Sequence, residues 1–282
     1  MKPSPNPVRI PPVIELRHAA LALLAESDPR DKAAGTAALW RSWQESPGHV
    51  DPAAALDPGS LMPGMSLPGR PERPELVPPL GVKHRSMHTV EGRAAMIHAL
   101  AHIEFNAINL ALDAIWRFTG MPPDYYADWL RVAGEEALHF NLLRGHLATL
   151  GYDYGDFPAH NSLWDMAEKT AGDVLARIAL VPRTMEARGL DASPPVRAKL
   201  AQAGDAAAAA ILDIILRDEI GHVATGNRWF GWLCRQRGLD PVATYEELAA
   251  RYKAPVPRGP FNLEARRAAG FSDAEMAAFM PS

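Results

Sequence analysis

The 282-residue chain has a single cysteine, Cys234. That excludes an intrachain disulfide, and with it any zinc ribbon or rubredoxin-type iron site built from CxxC pairs. A surplus of positive charge is also missing. The net charge is −4, so no global basic field draws the chain to nucleic acid or an anionic membrane. No uninterrupted apolar run reaches the roughly 18–20 residues of a membrane span. The longest, near residues 206–216, is broken by Asp213. The opening MKPSPNPVRIPP lacks an apolar signal core. Period-two alternation is absent, so no strand is expected. These absences leave a cytoplasmic protein with no membrane partner, and 48% hydrophobic residues suffice for a sizeable core.

What is present reads as helix. Residues 1–56 form an N-terminal helical segment, with Asp28 as N-cap and Pro29 at the first helical position. Residues 57–88 form a Pro-rich arm. Its 57–82 stretch holds seven prolines and four glycines, together with Leu61, Met62, Met65, Leu67, Leu76, Val77 and Leu80, which offer something to bury. Disorder and packing on the core are equally open for it. Residues 89–238 carry four long helices, expected at 90–119, 123–150, 162–188 and 205–237. Gly120, Gly151, Gly189 and Gly238 end them. Residues 239–282 hold short helices near 243–252, 262–269 and 273–279, packed on the bundle. The expectation is all-α, a four-helix bundle with extra N-terminal and C-terminal helices.

The chemistry lies in Glu-x-x-His. Residues i and i+3 share a helix face, so this spacing aims a carboxylate and an imidazole at one spot. With 16 Glu and 10 His, chance supplies roughly 0.6 of such a pair. The chain has three. Glu15/His18, isolated on the N-terminal helix, is the chance match. Glu136/His139 and Glu219/His222 sit mid-helix in apolar surroundings, and each follows a lone Glu one helix earlier, Glu104 and Glu186. An unpaired buried carboxylate costs several kcal/mol. Two helix hairpins of nearly equal pitch would bring all six groups together as the ligand set of a di-metal carboxylate bundle. Four carboxylates balance two divalent cations, and oxygen ligands with two imidazoles suit iron, manganese or a mixed pair, with zinc possible.

Around this set, Asp218 and Glu135 each lie one residue before a ligand Glu and can accept the ring N–H of a histidine on the partner helix. His102 and Arg183 are further candidates behind the ligands. His98 and His102 point well away from Glu104 and read as packing groups or as groups supporting the ligands from behind. Asp113 and Asp213 read as isolated polar positions, and His84/His88 as the approach to the first long helix. Trp116, Trp229, Phe230 and Trp232 read as core, and Cys234 as a buried structural thiol. One step is geometrically awkward. Glu186 lies three residues before Gly189, whereas Glu219 lies deep in its helix. Either residues 190–204 run back along the bundle, or the 162–188 helix has other bounds.

The runs HRSMHTVEGRAAMIHALAHIEFNAINLALDAIWRF, EEALHF, YGDFPAHNSLWDMA, LVPRTMEARGLD and ILRDEIGHVATGNRWF resemble a bacterial family of unknown function in the ferritin-like superfamily. The likeness spans nearly the whole chain. It implies a ferritin-like four-helix bundle with a di-iron or related site at Glu104, Glu136, His139, Glu186, Glu219 and His222. EEALH and DEIGH also resemble the paired motifs of di-iron desaturases and oxygenases, and there is a distant similarity to di-iron hydroxylases that modify tRNA. The expected function is an O2-activating di-iron oxidase or hydroxylase. Its substrate is a small molecule or RNA, O2 is co-substrate, and electrons come from an external donor. The alternatives are a ferroxidase or peroxide-consuming protein without organic substrate, and a non-enzymatic protein with a structural metal site. The oligomeric state is open, a dimer being the candidate.

Overall fold

The computed structural model describes residues 15–57, 59, 64, 66–82 and 85–279. Among them the chain is mostly helical and contains no strand, only isolated backbone bridges at Glu15–His49 and Leu76–Ala159. Helix α1 (Leu16–Ala25) and α2 (Pro29–Glu45) lead. Asp28 caps α2 by accepting from the Arg30 and Asp31 amides, with Pro29 at the first position. The long helices α3 (Val90–Arg117) and α4 (Pro123–Thr149) form the first hairpin. Thr89 caps α3, accepting from the Gly92 amide.

The expected helix at 162–188 is corrected. It is two pieces with different bounds. Helix α5 (Ser162–Lys169) stops at Thr170, and Asp173 caps a new start at α6 (Val174–Leu180). A π-helical turn, Val181–Glu186, follows and runs directly into α7 (Ala187–Gln202). Gly189 is thus interior rather than terminal. Pro194 and Pro195 also sit inside α7. Pro194 has no amide to give the Leu190 carbonyl, and Asn262 Nδ2 donates to that carbonyl instead, at 3.2 Å. Helix α8 (Ala206–Arg237) completes the second hairpin, capped by Asp205 and ended by Gly238 at φ 63°.

This removes the awkward step. Glu104 and Glu136 each lie about four helical turns from the bend of the first hairpin, and Glu186 and Glu219 about four turns from the bend of the second. Helices α4 and α8 pack against each other, α1 covers α3, and α2 covers α4. The tail forms α9 (Pro241–Arg251), α10 (Leu263–Ala268) and α11 (Asp273–Phe279), all close to their expected places.

Helix α3 is long and apolar enough to cross a membrane by composition, but 72% of its most apolar window is buried within the protein. Its C-terminal carbonyls, unpaired within the helix, are met by a buried cation: Arg17 donates to Ile115 and Trp116 oxygens. A second buried basic side chain, Lys32, whose amine burial pulls down to about 7, ties the arm down through the Gly69 carbonyl at 2.8 Å and the Asn109 side chain. Gly69 lies against α1, where a Cβ would come within 2.1 Å of the Ala25 oxygen. Val77 donates to Ala159. Leu61, Met62, Met65 and His84 lie outside the described residues, whereas Leu80 is fully exposed.

Candidate metal centre

Helices α4 and α8 run antiparallel in constant register. His139 meets Asp218, Glu135 meets His222, Arg131 meets Thr225, and Asp128 meets Trp229. Burial of α3, α4 and α8 on their shared side follows from their apolar stripes, and those stripes carry the polar residues inward. Glu104, Glu136, His139, Glu219 and His222 are all buried.

Glu104, Glu136, His139 and Glu219 form a group able to hold a metal ion, since one ligand atom from each lies within 4.8 Å of all the others. His139 Nδ1 is 3.4 Å from both Glu104 and Glu136 oxygens. His222 Nδ1 is 2.9 Å from Glu136 Oε1 and 3.6 Å from Glu219 Oε1. Glu136 therefore stands between the two histidines. Glu186, on the π turn, is close enough to Glu219 and Glu136 for their charges to act on it. Gly226 of α8 makes room for this turn, because a Cβ there would sit 2.9 Å from the Pro182 ring.

The fit to metal rests on unmet hydrogen bonds. Buried polar atoms are almost always paired. Here Glu104 Oε2, both Glu136 oxygens, His139 Nδ1, Glu186 Oε2 and His222 Nδ1 are buried without a hydrogen-bond partner. They converge on one place, and all are lone-pair donors of the kind that cations take.

The other ring nitrogens are satisfied from across the interface. His139 Nε2 lies 3.1 Å from Asp218 Oδ2, and His222 Nε2 lies 2.8 Å from Glu135 Oε2. An ionised carboxylate only accepts, so each Nε2 carries a proton, and it is each Nδ1 that would give up its proton to offer a lone pair to a cation. Asp218 is held in turn by Arg217, and Glu135 by Arg131.

The titration of the metal-free cluster reflects its crowding. Burial, then the Glu136 charge, pushes the Glu104 carboxyl well above its ordinary range. Burial, then Glu219 and Glu136, does the same to Glu186, and burial with Glu136 raises Glu219. Burial also acts upward on Glu136, but the His222 charge and the contacts with both histidines outweigh it and hold this group low. Burial would lower His139. Its bond to Asp218 and the nearby Glu104 and Glu136 carboxylates instead push it up to about 12. Carboxylates crowded together in a buried site repel one another and take up protons.

A cavity of about 670 Å3 opens on the carboxylate side. Glu104, Glu186 and Glu219 line it, together with apolar side chains such as Ile103, Leu163, Met166, Leu212 and Ile215. Glu136, His139 and His222 do not line it. A second cavity, about 410 Å3, lies between α9 and the C-terminal segment and touches Arg183 and Glu275 but none of the six.

Residues 25–277 match the family described as "Protein of unknown function (DUF455)". The chain belongs to this family. A Haemophilus influenzae (strain ATCC 51907 / DSM 11121 / KW20 / Rd) relative, named "Uncharacterized protein", is 52% identical over 223 residues, covering 77% of each chain. No solved structure matches. All six cluster residues lie within the span matched to DUF455.

Two expected supporting residues stand elsewhere. His102 bonds Tyr154 Oη at 2.8 Å, the His160 carbonyl and Asn106, because its helix face turns toward the 152–161 loop. Arg183 is buried against Phe230 and bonds Asn227 and Glu275, because the π turn swings it away from Glu186 toward the C-terminal segment. Glu15 caps α1 by accepting from the His18 amide, and its pair with His18 is exposed. Asp113 is not an isolated polar group: it is buried in ion pairs with Arg177 and Arg117. Asp213 pairs with Arg197 at the surface. Sequence reasoning did not single out Arg131, Arg217 or the π turn. Pro182 within an otherwise helical run was the available signal for the last.

Proposed function

We propose that this member of DUF455 is a di-metal carboxylate protein of ferritin-like bundle architecture, and that it acts as an O2-dependent oxidase or hydroxylase on an organic substrate. Glu104, Glu136 and His139 would hold one ion, and Glu186, Glu219 and His222 the other, with Glu136 placed to serve both. Iron suits this oxygen-rich set with two imidazoles, and manganese is its nearest competitor. When bound, the metals supply redox and Lewis-acid chemistry.

The chain's own residues do the rest. Asp218 and Glu135 fix the histidine rings, the apolar walls exclude water, and the cavity leaves room for a substrate beside Glu104, Glu186 and Glu219. The observation that carries the metal reading is the convergence of unpartnered buried ligand atoms. The cavity favours an organic substrate over iron oxidation alone. Electrons would come from an external donor.

The test is metal analysis of iron-replete protein, then anaerobic reduction and O2 addition followed by absorption spectroscopy. About two ions per chain are expected, as for other bundles with this ligand set, with an O2-dependent spectral change. Fewer than one ion per chain, unchanged by Glu186→Ala or His222→Ala, overturns the assignment. A redox-silent, tightly held metal such as zinc would mark a structural site. Rapid iron oxidation with no organic compound consumed would mark a ferroxidase.

A further inference from the structure

We propose that the cavity beside the carboxylates binds a small molecule with an apolar body and an anionic head, and that Lys169, Arg188 and Lys253 hold the head at its mouth. This rests on the di-metal reading for what becomes of the body, but the binding claim stands on the cavity itself. At about 670 Å3, the cavity falls within the range of sites that enclose small molecules.

The lining is graded. The floor is acidic, at Glu104, Glu186 and Glu219, and the walls are apolar. The three cations come from separate elements: Lys169 ends α5, Arg188 opens α7, and Lys253 follows α9. All three line the cavity and are exposed. Among the described residues none of them enters an ion pair, although most arginines of this chain do. The lining's other carboxylate, Asp165, already accepts from Asn161.

This gradient sets the orientation of a ligand. The exposed cations at the mouth attract an anion and the walls below them are apolar, so the head stays at the mouth and the apolar body points toward the cluster. A neighbouring cavity of about 530 Å3 shares Arg188, Ala192 and Pro255 and adds Arg258, together with Asp191, whose charge is already paired with Arg266. Positive charge therefore continues outward, and a head with two negative charges fits as well as one. Carboxylate and phosphate heads share this chemistry.

Isothermal titration of the full-length protein with decanoate, decyl phosphate, decan-1-ol and decyltrimethylammonium tests it, with metal content measured on the same samples. Both anions are expected to bind one per chain. The alcohol should bind at least tenfold more weakly and the cation not at all. A charge-assisted contact is worth enough that Arg188→Gln and Lys253→Gln should each weaken the anions about tenfold while leaving the alcohol unchanged. Ala192→Trp, at an exposed helical position on the cavity wall, should block every ligand. An alcohol that binds as tightly as the anions overturns the proposal, as does anion binding indifferent to the charge substitutions or to Ala192→Trp. Ligand binding by protein that takes up no metal overturns only the di-metal reading. Metal uptake without ligand binding overturns only this one.

Discussion

Glu135 of α4 reaches across to His222 of α8, placing Oε2 2.8 Å from Nε2. Asp218 of α8 makes the reciprocal contact to His139 of α4. Each helix thus orients the other helix's imidazole through the residue that precedes its own inward-facing glutamate. Loss of such a carboxylate commonly costs 10–100-fold in metal affinity. Glu135→Ala and Asp218→Ala should each weaken metal binding by about that factor, measured against a competing chelator. Arg217→Ala, one contact further out, should change it far less.

Metal-free protein should lose stability as pH rises above the ordinary carboxylate range. Glu104 and Glu186 have raised pKa values in the folded state. The folded state therefore binds more protons than the unfolded chain above the ordinary carboxylate range, and stability falls with pH there. His139, raised to about 12, acts in the same direction above its ordinary value of 6.5. Glu186→Gln should flatten the slope without lowering metal-free stability, because the amide resembles the protonated acid. Urea denaturation at successive pH values above that range provides the measurement.

His98 gives a slope of opposite sign at lower pH. It is buried, accepts from the Gly155 amide through Nε2, and its pKa is pushed down by burial to about 4. Between 6.5 and 4 the unfolded chain binds the extra proton, so stability is lost as pH falls through that window. The full difference is worth roughly 3 kcal/mol. His98→Gln keeps an acceptor for Gly155 and does not titrate. It should remove that part of the acid sensitivity in denaturation measured at pH 6.5 and 4.5.

Asp113→Ala should cost about 3–5 kcal/mol in unfolding free energy, since it strands the buried Arg177 guanidinium without its counter-charge. Asp213→Ala breaks a pair of similar chemistry with Arg197 that is exposed on both sides. It should leave the melting temperature unchanged. The two variants, compared by thermal unfolding, separate burial from charge pairing as the source of the effect.

The long helices and the inward face of the cluster were legible because both obey one period. Glu136/His139 and Glu219/His222 share a helix face by spacing alone, and the apolar stripes of α3, α4 and α8 show which face is buried. The reach of Glu135 and Asp218 across the interface was legible for the same reason. The second hairpin was not. Gly189, Pro194 and Pro195 all signal a helix end, yet α7 runs through them, because Asn262, more than 60 residues later in the chain, satisfies the Leu190 carbonyl. Arg183 and His102 sit near ligands in sequence but turn elsewhere, one through a π turn and one toward a loop. Such choices depend on distant partners that no local pattern encodes.

The two halves of the cluster are matched in residue type and unlike in backbone. Glu104 stands on an unbroken helix, but its counterpart Glu186 ends a π turn seated on Gly226 beside Pro182. The chain therefore breaks its own near-twofold symmetry at one side chain, and that side chain also borders the cavity. Any pair of occupants would be held in two inequivalent seats, one set by an unbroken helix and the other by a π turn, and both seats border the cavity.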